Sequence, residues 1–212
     1  MFISHLLYLL LCKWINPPIT ITQVVDVVKG HGLKKDNISY DAMGPNIKLA
    51  VMAAEDQLFP DHNGFDVKAI KKAQKYNEKH PTRVRGASTI SQQTAKNVFL
   101  WQGGGYFRKG LEVYFTFMIE MLWSKERILQ NYLNVAEMGP GIFGVQAAAK
   151  AYFNKDAKDL TRSEAAQIAA CLRNPKKYTV KPLSRMVSIV SAKVLRQMNN
   201  IQGDKDVMAL VK

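Results

Sequence analysis

Acidic residues, cysteines and long apolar runs are all scarce in this 212-residue chain, and each shortage narrows what it can be. Seventeen Asp and Glu stand against thirty Lys and Arg, a formal net charge of +13, so an anionic partner is expected: nucleic acid, a membrane surface or a phosphorylated substrate. The two cysteines, Cys12 and Cys171, lie in an apolar amino terminus and an alanine-rich helical stretch, and no structural disulfide between them is expected. His5, His31, His62 and His80 are scattered without ligand spacing, which argues against a zinc site. Hairpin-type alternation and a βαβ rhythm are missing too. The fold is therefore expected to be mainly α, with 47% hydrophobic residues, enough for a real core.

The longest apolar stretch, FISHLLYLLLC, stops at Lys13, Trp14 and Pro17-Pro18. As a helix it would reach roughly 16 Å, about half of a ~30 Å hydrocarbon core, so it cannot span alone. A basic start and a small-residue cleavage site are not visible. Residues 1–18 therefore read as part of a membrane anchor, as an interfacial helix with Trp14 at the headgroup level, or as a buried amino-terminal helix. Residues 19–46 read as a connector, a short helix followed by loop, and residues 47–212 as the main domain.

From Ile47 onward the apolar spacing is helical in NIKLAVMAAED, DVKAIKKAQKYNEK, STISQQTAKNVFL, FRKGLEVYFTFMIEMLW, KERILQNYLNVAE, GVQAAAKAYF, LTRSEAAQIAACLR and a last segment from about Pro182 to Asn199. Asp66 is placed to cap the second of these, and Thr161 with Glu164 forms a capping-box pattern.

Several stretches carry candidate chemistry. AAEDQLFPDHNGFD sets Glu55 and Asp56 directly behind an apolar helix, where acids need partners or a task. Lys68, Lys71, Lys72, Lys75 and Lys79 fall on one helical stripe, which suits a solvated face or anionic headgroups. No recognition motif or aromatic stacking platform accompanies them, which argues against nucleic acid. GPGIFG satisfies G-x-G-x-x-G literally, but it follows a helix and Pro140 removes a backbone donor, so a helix-to-helix turn with close backbones is expected instead. In RGASTISQQTAKN, Gln92 and Lys96 are four apart and would share a face of a well-capped helix. In the helix 107–123, Glu112, Thr116 and Glu120 align on a different face from Leu111, Phe115, Met118, Ile119 and Leu122, and Arg108 is the expected partner of Glu112.

Together these segments resemble the peptidoglycan glycosyltransferases, specifically the monofunctional biosynthetic transglycosylases. The resemblance rests on five motifs in order, EDQLFPDHNGFD, GASTISQQTAKN, RKGLEVYFTFMIE, KERILQNYLNVAEMGPGIFGVQAAAKAYF and LTRSEAAQIAACLRNPKKY, and covers about Ile47 to Tyr178. It implies a lysozyme-like helical fold with an amino-terminal anchor, at the periplasmic or outer face of the bacterial cytoplasmic membrane. The implied reaction polymerises lipid II into β-1,4-linked glycan strands with inversion and release of the lipid diphosphate. Partners would be lipid II, the growing lipid-linked strand, the membrane, and proteins of cell division or cell-wall synthesis.

By the same resemblance Glu55 is the general base on the acceptor hydroxyl, and Glu112 is the second catalytic acid, orienting cations or Mg²⁺ near the leaving diphosphate. Lys96, Arg108 and Lys109 are the candidate diphosphate partners, with Arg85 in reserve. Ser88, Thr89, Gln92 and Gln93 would position sugars. Asp56 and His62 are expected to organise the loop that aims Glu55. Mg²⁺ or another divalent cation is a candidate cofactor, and no organic cofactor is implied. Two positions depart from the family pattern: Gly104 stands where relatives usually carry a phosphate-binding Arg, a loss that Arg108 or Arg85 would have to make good, and Gln146 where they often carry Glu. The rival readings are a glycan-cleaving enzyme of the same fold, which needs no diphosphate-binding lysine helix, and a non-enzymatic basic protein of membrane surfaces or nucleic acid.

Overall fold

The computed structural model describes residues 2–212, with side chains from Ser4 onward. Within them run α1 (Phe2–Leu11), α2 (Ile21–Val28), β1 (Lys34–Lys35), α3 (Pro45–Glu55), α4 (Val67–Lys79), α5 (Ile90–Phe99), α6 (Tyr106–Leu122), α7 (Lys125–Val135), β2 (Glu137–Gly139), β3 (Ile142–Phe143), α8 (Val145–Phe153), α9 (Arg162–Cys171), α10 (Arg185–Ile201) and α11 (Lys205–Val211). The chain is mainly helical, and each segment with helical spacing after Ile47 forms a helix, α3 to α10, with ends shifted by a few residues. The caps explain where two of them start. Asp66 accepts from the Ala69 N–H at 2.8 Å, and Thr161 with Glu164 closes a reciprocal capping box.

Helix α3 is the axis of the core. Ile47 through Ala53 are all buried, including Lys48, whose ammonium lies 3.8 Å from the Tyr40 ring centroid. A helix buried on all sides must be surrounded, and α9, α10 and α11 pack around it. The alanines of α9, Ala165, Ala166, Ala169 and Ala170, are completely buried, and their small side chains let neighbouring backbones approach closely. A second group places α5 against α6 and α7.

Three expectations change here. Residues 19–46 are more than a connector: α2 opens on a Thr20–Gln23 capping box and buries Gln23 and Asp26, Asp26 pairs with Lys176, and β1 runs parallel to β3. GPGIFG is an antiparallel β2–β3 hairpin and not a helix-to-helix turn. The expected close approach is nevertheless present, because a Cβ on Gly139 would lie 2.0 Å from the Tyr152 hydroxyl and one on Gly144 (φ +85) would lie 2.7 Å from the Asn134 carbonyl oxygen. Finally, α1 docks on the body: Leu9 and Cys12 are buried, the Trp123 indole donates to the Leu9 carbonyl at 3.1 Å, and Arg127 donates twice to the Cys12 carbonyl. Among the described residues no helix is long and apolar enough to cross a membrane.

A candidate active-site cleft

A cleft of about 890 Å³ opens where the carboxyl end of α3 meets α4, the start of α5, the turn after α9 and α10. Glu55 is the last residue of α3 and lines it. The helix ends there because Asp56 leaves helical geometry (φ −162, ψ 85) and turns its carboxylate to other donors. One oxygen accepts from the Ile90 N–H at 2.9 Å, at the amino end of α5 where the helix dipole favours an anion, and the other lies 3.0 Å from His62 Nε2. His62 Nδ1 accepts from the Gly64 N–H at 3.2 Å, which places the ring proton on Nε2, facing Asp56. Thr89 Oγ1 donates to the Gly64 carbonyl at 2.7 Å, and Lys125 donates to the His62 carbonyl. Asp56 and His62 thus hold the loop, as expected, and Glu55 is left to face the cleft.

The Glu55 carboxyl accepts from Gln93 Nε2 at 2.7 Å. Burial pushes it above the ordinary carboxylate range, and the Gln93 hydrogen bond, Arg173 and Lys96 oppose that shift. A carboxylate displaced toward neutral pH is what proton abstraction from a sugar hydroxyl needs.

A cationic group sits on α5 and α6. Glu112, 3% exposed, accepts from Arg108 Nη1 at 2.6 Å and from Lys109 Nζ. Arg108 Nε is buried with no hydrogen-bond partner among the described residues. Burial lowers the Lys96 ammonium below the ordinary lysine range, Glu112 raises it, and Arg108 and Lys109 lower it again, while Glu55 also acts to raise it. Lys96 therefore feels both carboxylates. Three cations around one carboxylate leave two positive charges uncompensated, a setting for a diphosphate. The residues do not fit a protein-held metal: both Glu112 oxygens are engaged by cations, and among the described residues no His, Cys, Asp and Glu grouping could hold one.

The polar face of α6 turns inward. Thr116 is fully buried, and Glu120 pairs with Lys125 at 2.8 Å and with Ser91. A third stripe, Val113, Phe117 and Met121, is exposed and apolar.

The remaining expected residues divide. Ser88, Gln93 and Arg85 line the cleft, with Arg85 also stacked 3.5 Å over the Tyr76 ring. Thr89 also borders the cleft, but Thr89 and Gln92 are buried and spend polar atoms on the α5 capping box, so Gln92 shares no open face with Lys96. Lys72, Arg173 and Lys193 line the same cleft without having been singled out for it. Lys72 stood in the lysine stripe of α4, but Arg173 and Lys193 arrive through the packing of α9 and α10 on α3, which has no local signature.

The two departures acquire physical reasons. Gln146 donates to Asp156 at 2.7 Å and accepts from the Ala157 N–H at 2.9 Å, and a glutamate could not donate to that carboxylate. Gly104 has φ +90, and a Cβ there would lie 3.1 Å from the Arg108 Cβ. Gly104→Arg is accordingly expected to raise the KM for the substrate that the cationic group receives, since it strains the backbone and crowds the arginine that holds Glu112. Steady-state kinetics on the purified variant check this, and a lowered KM would show that the missing arginine outweighs the strain.

A family model described as Transglycosylase matches residues 22–199. The biosynthetic peptidoglycan transglycosylase of Mannheimia succiniciproducens is 54% identical over 181 residues, which cover 85% of this chain and 74% of that one. Proteins of the same description from Escherichia coli and Shigella boydii are each 56% identical over 169 residues, covering 80% of this chain and 70% of theirs. With most of its length matched at more than half identity, and with Glu55, Ser88, Gln93 and Arg173 of three of the five motifs lining one cleft, the chain belongs to the transglycosylase family.

Proposed function

We propose that the chain polymerises lipid II into β-1,4-linked glycan strands in bacterial cell-wall synthesis, with Glu55 as general base and Lys96, Arg108 and Lys109 receiving the lipid diphosphate. The observation that carries this reading is the Glu55 carboxyl lining the cleft, held by Gln93 of α5 at 2.7 Å, while α5 packs on α6, which carries the Glu112–Arg108–Lys109 group. Glu55 takes the proton from the acceptor GlcNAc C4 hydroxyl as its oxygen attacks C1 of the donor MurNAc. The C1–oxygen bond to the diphosphate breaks on the opposite face, so the configuration inverts, and the departing charge meets the cations. Glu112 cannot stabilise that charge itself. Its role is to hold Arg108 and Lys109 where the charge appears. Ser88 is open to sugar hydroxyls, Gln93 engages Glu55, and Thr89 and Gln92 hold the helix start that presents them.

The substrate's lipid gives a task to two exposed apolar stripes. Leu7 and Leu11 of α1, with Trp14 and Ile15 beyond it, form one, and Val113, Phe117 and Met121 of α6 form the other. The His5–Phe115 ring contact sets α1 against α6. We place these surfaces in the outer leaflet boundary of the cytoplasmic membrane, with residues 1–18 contributing to the attachment and the lysines of α4 available to anionic headgroups.

The test is to supply labelled lipid II in vesicles, and separately polymeric glycan, to the purified protein. Polymer from the first, no cleavage of the second and co-sedimentation with the vesicles are expected. Shortening of the polymeric glycan would establish a glycan-cleaving enzyme instead, and a protein inert in both arms would sink the proposal.

A further inference from the structure

Gln93 is held at both ends. Its Nε2 donates to Glu55 Oε2 at 2.7 Å, and its Oε1 accepts from the Tyr132 hydroxyl at 3.2 Å. Tyr132 belongs to α7 and is 1% exposed, and burial together with the charge of Glu55 holds its phenol far above the ordinary tyrosine range, so it stays a proton donor. The two ends of a carboxamide have nearly the same shape and opposite polarity. Turned one way, Gln93 stabilises the Glu55 carboxylate. Turned the other way, its carbonyl faces that carboxylate and the buried phenol proton loses its acceptor, so both contacts are lost together.

We propose that Tyr132 is a positioning residue for the base: its hydroxyl fixes the orientation of the Gln93 amide, and through it the protonation and aim of Glu55. The inference rests on reading Glu55 as the base. Tyr132 is buried and does not line the cleft, and nothing in the sequence motifs marks this tyrosine for more than the core.

Tyr132→Phe removes one oxygen and keeps the ring. Without its anchor the amide loosens, and Glu55 loses its largest stabilising hydrogen bond while its burial is unchanged. Its pKa then rises. The base works only when deprotonated, so the acid limb of the kcat–pH profile moves to higher pH, by about one unit, the scale set by a hydrogen bond to a charged group. Below both midpoints this is a roughly tenfold loss, and it closes as the pH rises. On a Gln93→Leu background, where no amide remains to orient, Tyr132→Phe should shift nothing further.

The experiment measures lipid II polymerisation against pH for wild type, Tyr132→Phe, Gln93→Leu and the double variant, with thermal unfolding of each. An acid limb that stays in place in Tyr132→Phe, or a shift of equal size on the Gln93→Leu background, overturns the proposal. Site-specific 3-fluorotyrosine at position 132 keeps both ring and hydroxyl as a guard against lost packing. It should leave the limb at or below the wild-type midpoint, and a limb raised as in the phenylalanine variant would place the cause in the ring. Glu55→Gln run alongside separates the two readings: if it retains polymerisation the base assignment fails, and if it is inactive while the acid limb ignores Tyr132, only the positioning role fails.

Discussion

Glu55→Gln is expected to lower the rate of lipid II polymerisation by roughly 10²–10⁴-fold, the range that a positioned general base supplies. The substitution is nearly isosteric and retains one oxygen to accept from Gln93 Nε2, so the cleft should keep its shape. What disappears is the proton acceptor. Thermal stability should hold or rise slightly, because burial already opposes the charge that the variant removes. Wild-type activity should fall as the pH drops through the raised Glu55 pKa, since the base is lost on protonation. In Glu55→Gln the residual rate should show no such limb. Lipid II binding, measured by retention on the protein without turnover, should change little. A variant that keeps its rate would remove Glu55 from the chemistry, and one that unfolds would show the carboxylate to be structural.

The pairing of a buried apolar helix with an acid at its end was legible in the sequence, and so was the division between Glu55 and its neighbours. The residues between Asp56 and Asp66 alternate turn formers with polar groups, and such loops need internal anchors, which Asp56, His62 and Thr89 supply. The contacts of Arg108 with Glu112 follow from spacing on one helix. Three residues that could not be read share one cause. Arg173 and Lys193 reach the cleft, and Tyr132 reaches Gln93, only because α7, α9 and α10 pack where they do. Long-range packing leaves no periodic trace. The β2–β3 hairpin escaped for a different reason: strands of three and two residues are too short for alternation to register. Spacing puts Gln92 on a helix face with Lys96, whereas the well-capped helix that the sequence also offered is what claims its amide oxygen.

Glu112→Gln should separate binding from turnover in the cationic group. The carboxylate is almost fully buried and pairs with both Arg108 and Lys109. Replacing it leaves three cations with no counter-charge, so the diphosphate of lipid II should bind as well as before or better, and KM should stay level or fall. The cations lose the group that fixes them, however, and a diphosphate that binds without alignment is not one whose departing oxygen is met in the transition state. A fall in kcat of about 10²-fold with KM unchanged or lowered is therefore expected. Lys96 supplies a second readout. Glu112 is the strongest influence holding its ammonium up against burial, so in the variant its pKa drops. A group that must stay protonated then loses its charge at lower pH, and the basic limb of the kcat–pH profile should move down. The cost in stability is smaller than the cost in rate, up to about 3 kcal/mol, since Lys109 is 43% exposed and water takes over its share of the lost pairing. A higher KM with unchanged kcat would mean that Glu112 serves binding alone. A basic limb that stays in place would mean that Lys96 does not need its charge for turnover, and the diphosphate would then have to be met by Arg108 and Lys109 only.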